Sequence, residues 1–167
     1  NNSIPIAAVE NAVYTSGENG IRDNHVFYTS FEDSDSTYDV RAKTGKKVWK
    51  LDFELPVSHF IPGKYILTYW QTTDNGTTWK LMKKTINIHE GSHTHKIESR
   101  GYIDEISLIP DNAAIHTSTY LPGLGILDKT DEGHNTEYYF YDPLGRLLKV
   151  KDQLHRTLKE YEYHTKQ

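Results

Sequence analysis

Tyr141-Asp142-Pro143-Leu144-Gly145-Arg146-Leu147 is the stretch that decides the fold. Asp-Pro-Leu-Gly suits a type I turn: aspartate at the first position, proline presetting φ at the second, glycine at the fourth. On one side stand Tyr138-Tyr139-Phe140-Tyr141. On the other, Arg146 opens a strand in which Leu148 and Val150 alternate with Leu147, Lys149 and Lys151. Two short alternating runs around a turn read as a hairpin. Tyr139 and Tyr141 share a face, and each aromatic–aliphatic pair across the ladder adds about 0.2–1 kcal/mol. The pattern also extends outward. Tyr120 to Asp131 (YLPGLGILDKTD) and Tyr141 to Asp152 (YDPLGRLLKVKD) each run twelve residues from tyrosine to aspartate, with starts twenty-one residues apart. Such a period marks stacked supersecondary units. Asp131-Glu132-Gly133 and Asp152-Gln153-Leu154-His155 serve as the alternate turns, the second without a glycine.

This tract resembles the YD repeats of Rhs proteins and teneurins, which build long β-hairpin sheets on secreted and surface proteins. The second copy carries the whole Tyr-Asp-x-x-Gly-Arg-Leu unit; in the first, Leu121 replaces the aspartate. The resemblance implies a structural rather than a catalytic role. The chain stops inside a repeat, at Tyr161-Glu162-Tyr163-His164, so a fragment of a longer protein is expected, with a cut edge prone to association.

Upstream, short aromatic and β-branched runs recur without helical period. They are His25–Phe31, Lys47–Leu55, Tyr65–Thr73, Trp79–His89 and Gly101–Ile109. Strands at this spacing predict a β-sandwich. Residues 1–23 read as a linker or loose first strand, and Ala113-Ala114 allows a helical turn of no consequence. Four fragments resemble strands of jelly-roll carbohydrate-binding modules: Tyr28-Thr29-Ser30-Phe31-Glu32-Asp33, Gly63–Trp70, Thr78-Trp79-Lys80, and Tyr102-Ile103-Asp104-Glu105-Ile106-Ser107-Leu108. The combination is similar to large surface YD-repeat proteins of Bacteroidetes. The expected fold is therefore all-β: a jelly-roll-like β-sandwich over 24–112, followed by YD-repeat antiparallel β-hairpins over 113–167.

Composition removes several functions. A net charge of −4 lacks the basic footprint of a nucleic-acid binder. No apolar run has the length of a membrane span. With no cysteine there is no disulfide frame, zinc–thiolate site or thiol nucleophile. Hydrophobic residues make up only 36%, yet twelve tyrosines offset this by burying large areas each. The resemblance places the chain outside the cell or on its surface.

Three groups of residues are candidates for a site. In the resembled modules the Phe-Glu strand and the closing aspartate hold a structural calcium, which implies Glu32, Asp33 and Asp104 here. Calcium takes six to eight oxygen ligands in irregular geometry; the competing reading is solvated strand ends. Trp49, Trp70, Trp79 and Tyr38 are candidate glycan platforms, because sugars present apolar C–H faces to aromatic rings. Alternation puts Tyr65, Leu67 and Tyr69 on one face and Ile66 and Trp70 on the other, so one of these sets must be core. His89, His93 and His95 with Glu90 could hold zinc, although the spacing favours adventitious binding. No Gly-x-Ser-x-Gly elbow or phosphate loop occurs. Asp104 and Glu105, as strand neighbours, are expected on opposite faces, unsuited to shared acid–base work. No enzymatic activity is expected, and no cofactor beyond calcium. The expected partners are a glycan or neighbouring repeats of a longer protein.

Overall fold

The computed structural model describes residues 6–12, 15–16, 22–23, 26–33 and 40–164. The described residues form strands and turns, with no helix. The strands are β1 (Ala7–Glu10), β2 (Thr15–Ser16), β3 (Arg22–Asp23), β4 (Phe27–Thr29), β5 (Trp49–Lys50), β6 (Phe53–Pro56), β7 (Gly63–Thr72) and β8 (Lys80–Ile88). They continue with β9 (Thr94–Ile97), β10 (Tyr102–Pro110), β11 (Ala114–Leu121), β12 (Gly125–Thr130), β13 (Thr136–Tyr141), β14 (Leu147–Lys151) and β15 (Thr157–Glu160). All registered pairs are antiparallel. The chain divides into two compact units, Val9–Ala114 and Asn1–Ala8 with Ile115–Gln167.

In the 9–114 unit, strands β4-β10-β7-β8 lie side by side and β5 also pairs with β10; β6 and β9 form a second, two-stranded sheet. The expected alternation holds along β7. Tyr65, Leu67 and Tyr69 are buried at 2%, 1% and 1% exposure, while Ile66 and Trp70 on the other face are half-buried. The buried row packs with Ile103, Ile106 and Leu108 of β10 and with Leu55 and Ile97 of the smaller sheet. This is the core of a β-sandwich, each such side chain contributing about 1.5–3 kcal/mol by leaving water. Lys47–Leu55, expected as one strand, is two. Leu51 takes φ 68° and gives its N–H to the Gly101 carbonyl at 2.8 Å, so β5 follows one sheet and β6 the other. Strand β8 ends the larger sheet and carries Lys80, Lys83 and Lys84, all exposed.

In the other unit, six strands run in the order β1-β11-β12-β13-β14-β15. Part of the expected linker, Ala7–Glu10, is thus an edge strand of this sheet. Ala114 opens β11 instead of closing a helical turn, and the Ala113 N–H bonds to the Pro110 carbonyl at 3.0 Å.

Three turns of this sheet are built alike. At Asp142 one carboxylate oxygen accepts the N–H of Leu144 and of Arg146, each at 2.9 Å, and the other accepts Arg146 Nε at 2.7 Å. Asp152 repeats this with Leu154 and Arg156, and Asp131 does so with Asn135. The fourth residue of each turn is left-handed: His134 at φ 61°, Gly145 at 79°, His155 at 60°. The missing glycine at 155 is therefore replaced by a strained histidine, its ring stacked 5.5 Å from Tyr138. Two residues past the 142–146 and 152–156 turns, and past the one at Leu121–Gly125, the ladder skips one residue: Leu148, Leu158 and Leu127. Tyrosines tie successive hairpins together. Tyr141 OH donates to the Ile126 carbonyl at 2.8 Å and Tyr163 OH to that of Leu147 at 2.9 Å.

Candidate metal centre

Asp104 lies in β10 where pairing with β7 loses register between Asp104 and Ser107. Glu105, at φ 53°, is the residue that breaks the alternation. The expectation that Asp104 and Glu105 face apart is therefore corrected. Both are buried, at 0% and 6% exposure, and the Glu105 charge acts on Asp104.

Asp104 and Glu32 hold one segment between them. Asp104 Oδ2 accepts the N–H groups of Lys43 and Thr44, both at 3.0 Å. Glu32 Oε1 accepts those of Lys46 at 2.9 Å and Lys47 at 2.7 Å. Gly45 stands between them at φ 57°, a left-handed backbone that favours glycine, with the Glu32 carboxylate over its Cα. Asp104 Oδ1 and Thr44 Oγ1 are both buried and make no hydrogen bond.

An unmatched carboxylate oxygen away from water is costly. Burial pushes the Asp104 carboxyl well above its ordinary range. The Thr44 N–H opposes this, and the charges of Glu105 and Glu32 add to it. Such a site has two ways to relax: a proton on Asp104, or a hard cation. Among the described residues no group of three or more His, Cys, Asp or Glu side chains is disposed to hold a metal ion. A cation here would need hydroxyl and carbonyl oxygens beside the two carboxylates, which is calcium chemistry and not zinc chemistry. Asp104 Oδ1, Thr44 Oγ1 and the Glu32 carboxylate fit that donor set. Asp33 does not join them: it is exposed, and it is not among the charges acting on Asp104.

The aromatic candidates each engage other groups of the protein. Trp49 stacks on Phe31 at 5.9 Å, meets Phe53 edge-on at 5.6 Å and gives its Nε1–H to the Asp52 carbonyl. The Lys43 ammonium sits 4.4 Å over the Trp70 ring. Trp79 is tied through Nε1 to the Arg41 carbonyl at 3.1 Å. All three are half-buried. Tyr38 lies outside the described residues. The histidines are not gathered either. His89 and His93 are exposed, and His95 on β9 has its pKa depressed by desolvation and by the Lys84 charge.

Sequence reasoning missed two features. One is the 43–47 segment, whose part rests on main-chain N–H groups that any sequence has. The other is the set of hydrogen bonds that Asp74 makes within the turn that Asp74-Asn75-Gly76 signals in the sequence. Asp74 accepts the Thr72 hydroxyl at 2.6 Å, the Thr78 N–H at 2.9 Å and the Thr78 hydroxyl, which lower its pKa to about 2. Thr72-x-Asp74-x-Gly76-x-Thr78-Trp79 was the available signal.

Comparison with known proteins adds no assignment: no family model, curated protein or solved structure matches this chain.

Proposed function

We propose that this chain is a non-catalytic structural and adhesion segment of a secreted or cell-surface YD-repeat protein, with a calcium ion pinning the 43–47 segment of its sandwich. The observation that carries the scaffold reading is the recurrence of one turn geometry at Asp131, Asp142 and Asp152. Carboxylates spent on holding their own turns are the mark of a sheet built to repeat. The unmatched oxygens of Asp104 and Thr44 support the calcium reading, with Glu32 and Asp104 as its carboxylates.

A second reading, carbohydrate binding that targets a longer protein to a glycan, is supported by a different place from the tryptophans. A groove of about 560 Å³ on the hairpin sheet is lined among others by Ser118, Lys129, Asn135, Glu137, Gln153 and Arg156. Taken together these side chains offer both donors and acceptors, which suits a polyhydroxylated ligand.

One pair of measurements tests both. In thermal unfolding with calcium and then with chelator, calcium at about a hundredfold over its dissociation constant adds ~2.7 kcal/mol, and Asp104→Asn removes the increment. Equal melting in both conditions sinks the calcium reading. A glycan array on the folded chain decides between the functions: silence supports the scaffold, and binding lost in Glu137→Ala supports the lectin.

A further inference from the structure

The turn between β7 and β8 contains a pair of residues that the fold requires and that chemistry makes labile. Asn75 is exposed at φ 54°, and Gly76 follows at φ 81°. Both angles lie in the left-handed region, where asparagine, aspartate and glycine are tolerated. Gly76 has no substitute, because a Cβ there would run into the Arg41 carbonyl. The residue after Asn75 therefore has no side chain to hinder its own backbone nitrogen. That nitrogen is the nucleophile in succinimide formation.

Two hydrogen bonds hold this nitrogen and its peptide in place, and both are long. The Gly76 N–H donates to Thr72 Oγ1 at 3.3 Å, and the Asn75 carbonyl accepts the Arg41 N–H at 3.3 Å. Hydrogen bonds of this kind cluster at about 2.9–3.0 Å, so the Asn-Gly link is lightly held. By contrast, the Asp74 carboxylate beside it is held at 2.5–2.9 Å by Thr72 and Thr78.

We propose that Asn75–Gly76 is a site of spontaneous covalent modification, and that its product loosens the loop through Arg41. The Gly76 nitrogen attacks Asn75 Cγ and loses its proton; the C–N bond of the side-chain amide breaks and ammonia leaves. Water then opens the imide at either carbonyl, giving aspartate or, with one more backbone atom, isoaspartate. No oxidant or other reagent is needed. The extra atom displaces Gly76 from the Arg41 carbonyl and breaks the Arg41–Asn75 bond. The new carboxylate also stands next to that of Asp74. Arg41 leads directly into Lys43–Lys47, the segment held by Glu32 and Asp104. The chemistry rests on the turn alone and holds whether or not that segment binds a cation.

The test is to age the folded chain in mildly alkaline buffer and map its tryptic peptides by mass spectrometry with isoaspartate-resolving fragmentation. The peptide Tyr65–Lys80 contains Asn75 and no other asparagine. The acid forms should accumulate there, and not in the peptides carrying Asn87, Asn112 or Asn135. Thr72→Val, which frees the Gly76 N–H, should speed conversion severalfold, and Asn75→Gly should abolish it. Hydrogen exchange over residues 40–47 should rise in the aged chain and stay flat in aged Asn75→Gly. An amide that survives intact in the folded chain, while a synthetic 65–80 peptide converts, overturns the proposal. Conversion without faster exchange in 40–47 overturns its second half.

Discussion

The hairpin turns and the Asp104 site use aspartate in opposite ways. In the hairpin sheet, each turn aspartate is surrounded by donors. At Asp142 the backbone N–H of Arg146 leads in holding the carboxyl below its ordinary range. At Asp152 and Asp131 desolvation pulls upward, but the donors of Arg156 and Asn135 outweigh it. In the sandwich, Asp104 is sunk among other acids and pushed upward by burial. The first arrangement is self-sufficient. The second is an electrostatic debt that a proton or a cation must settle. Local sequence alone suffices to build a turn of the first kind, so it can be repeated along a chain. The second depends on Glu32, Thr44 and Asp104, brought together from distant positions.

The contrast can be broken most forcefully in the sandwich core. Tyr69→Ala should cost ~3–5 kcal/mol and abolish the protection of β7 and β10 in hydrogen exchange, while β12–β14 keep theirs. Loss of protection in both units at once would mean that they unfold as one. Next in size is Gly145→Ala, which puts a Cβ on a residue at φ 79°. It should cost ~1–2 kcal/mol, read as a lower melting temperature confined to the hairpin sheet.

Acid titration sharpens the comparison by sign. A carboxyl held low in the fold contributes stability above its unfolded value, and that contribution disappears as pH falls through the folded value. The hairpin sheet should therefore weaken below pH 3.8, the ordinary aspartate value, through Asp131, Asp142 and Asp152. The Asp74 turn should follow as pH falls from 3.8 to about 2. Asp104 runs the other way: its contribution is present below 3.8 and is lost as pH rises through its elevated value. Circular dichroism in chelator, followed against pH, would show the two opposed slopes, and slopes of one sign would remove the distinction. The smallest effect is expected at Lys149–Glu160, a 2.7 Å pair with both side chains well exposed. Charge reversal at Lys149 should change stability by under about 1 kcal/mol.

Much of the fold could be read from the sequence because its signals are local. Alternation in Tyr65–Trp70 separated two rows, of which the structure buries Tyr65, Leu67 and Tyr69, and Asp142-Pro143-Leu144-Gly145 identified a turn whose Gly145 N–H does bond to the Asp142 carbonyl at 2.9 Å. The readings that failed concern departures from regularity. Leu51 breaks a strand through a left-handed backbone that leucine does not advertise, and Glu105, also left-handed, shifts the register within β10 without ending it. The candidate centre was half legible. Glu32 and Asp104 follow from the resemblance, but Thr44 and the N–H groups of 43–47 become partners only through long-range folding. Asp33 was misplaced because adjacency to Glu32 in sequence says nothing of where the next side chain turns.

Strand β8 has nine residues paired to β7 without a break, and among the described residues no strand lies beyond it in the sheet. A long straight border of that kind is a template on which another extended chain can crystallise into a fibre. Lys80, Lys83 and Lys84 stand along it, so a second molecule approaching in register brings ammonium against ammonium. Charge closes a border that the described strands leave unpaired, and the protection weakens as salt is raised.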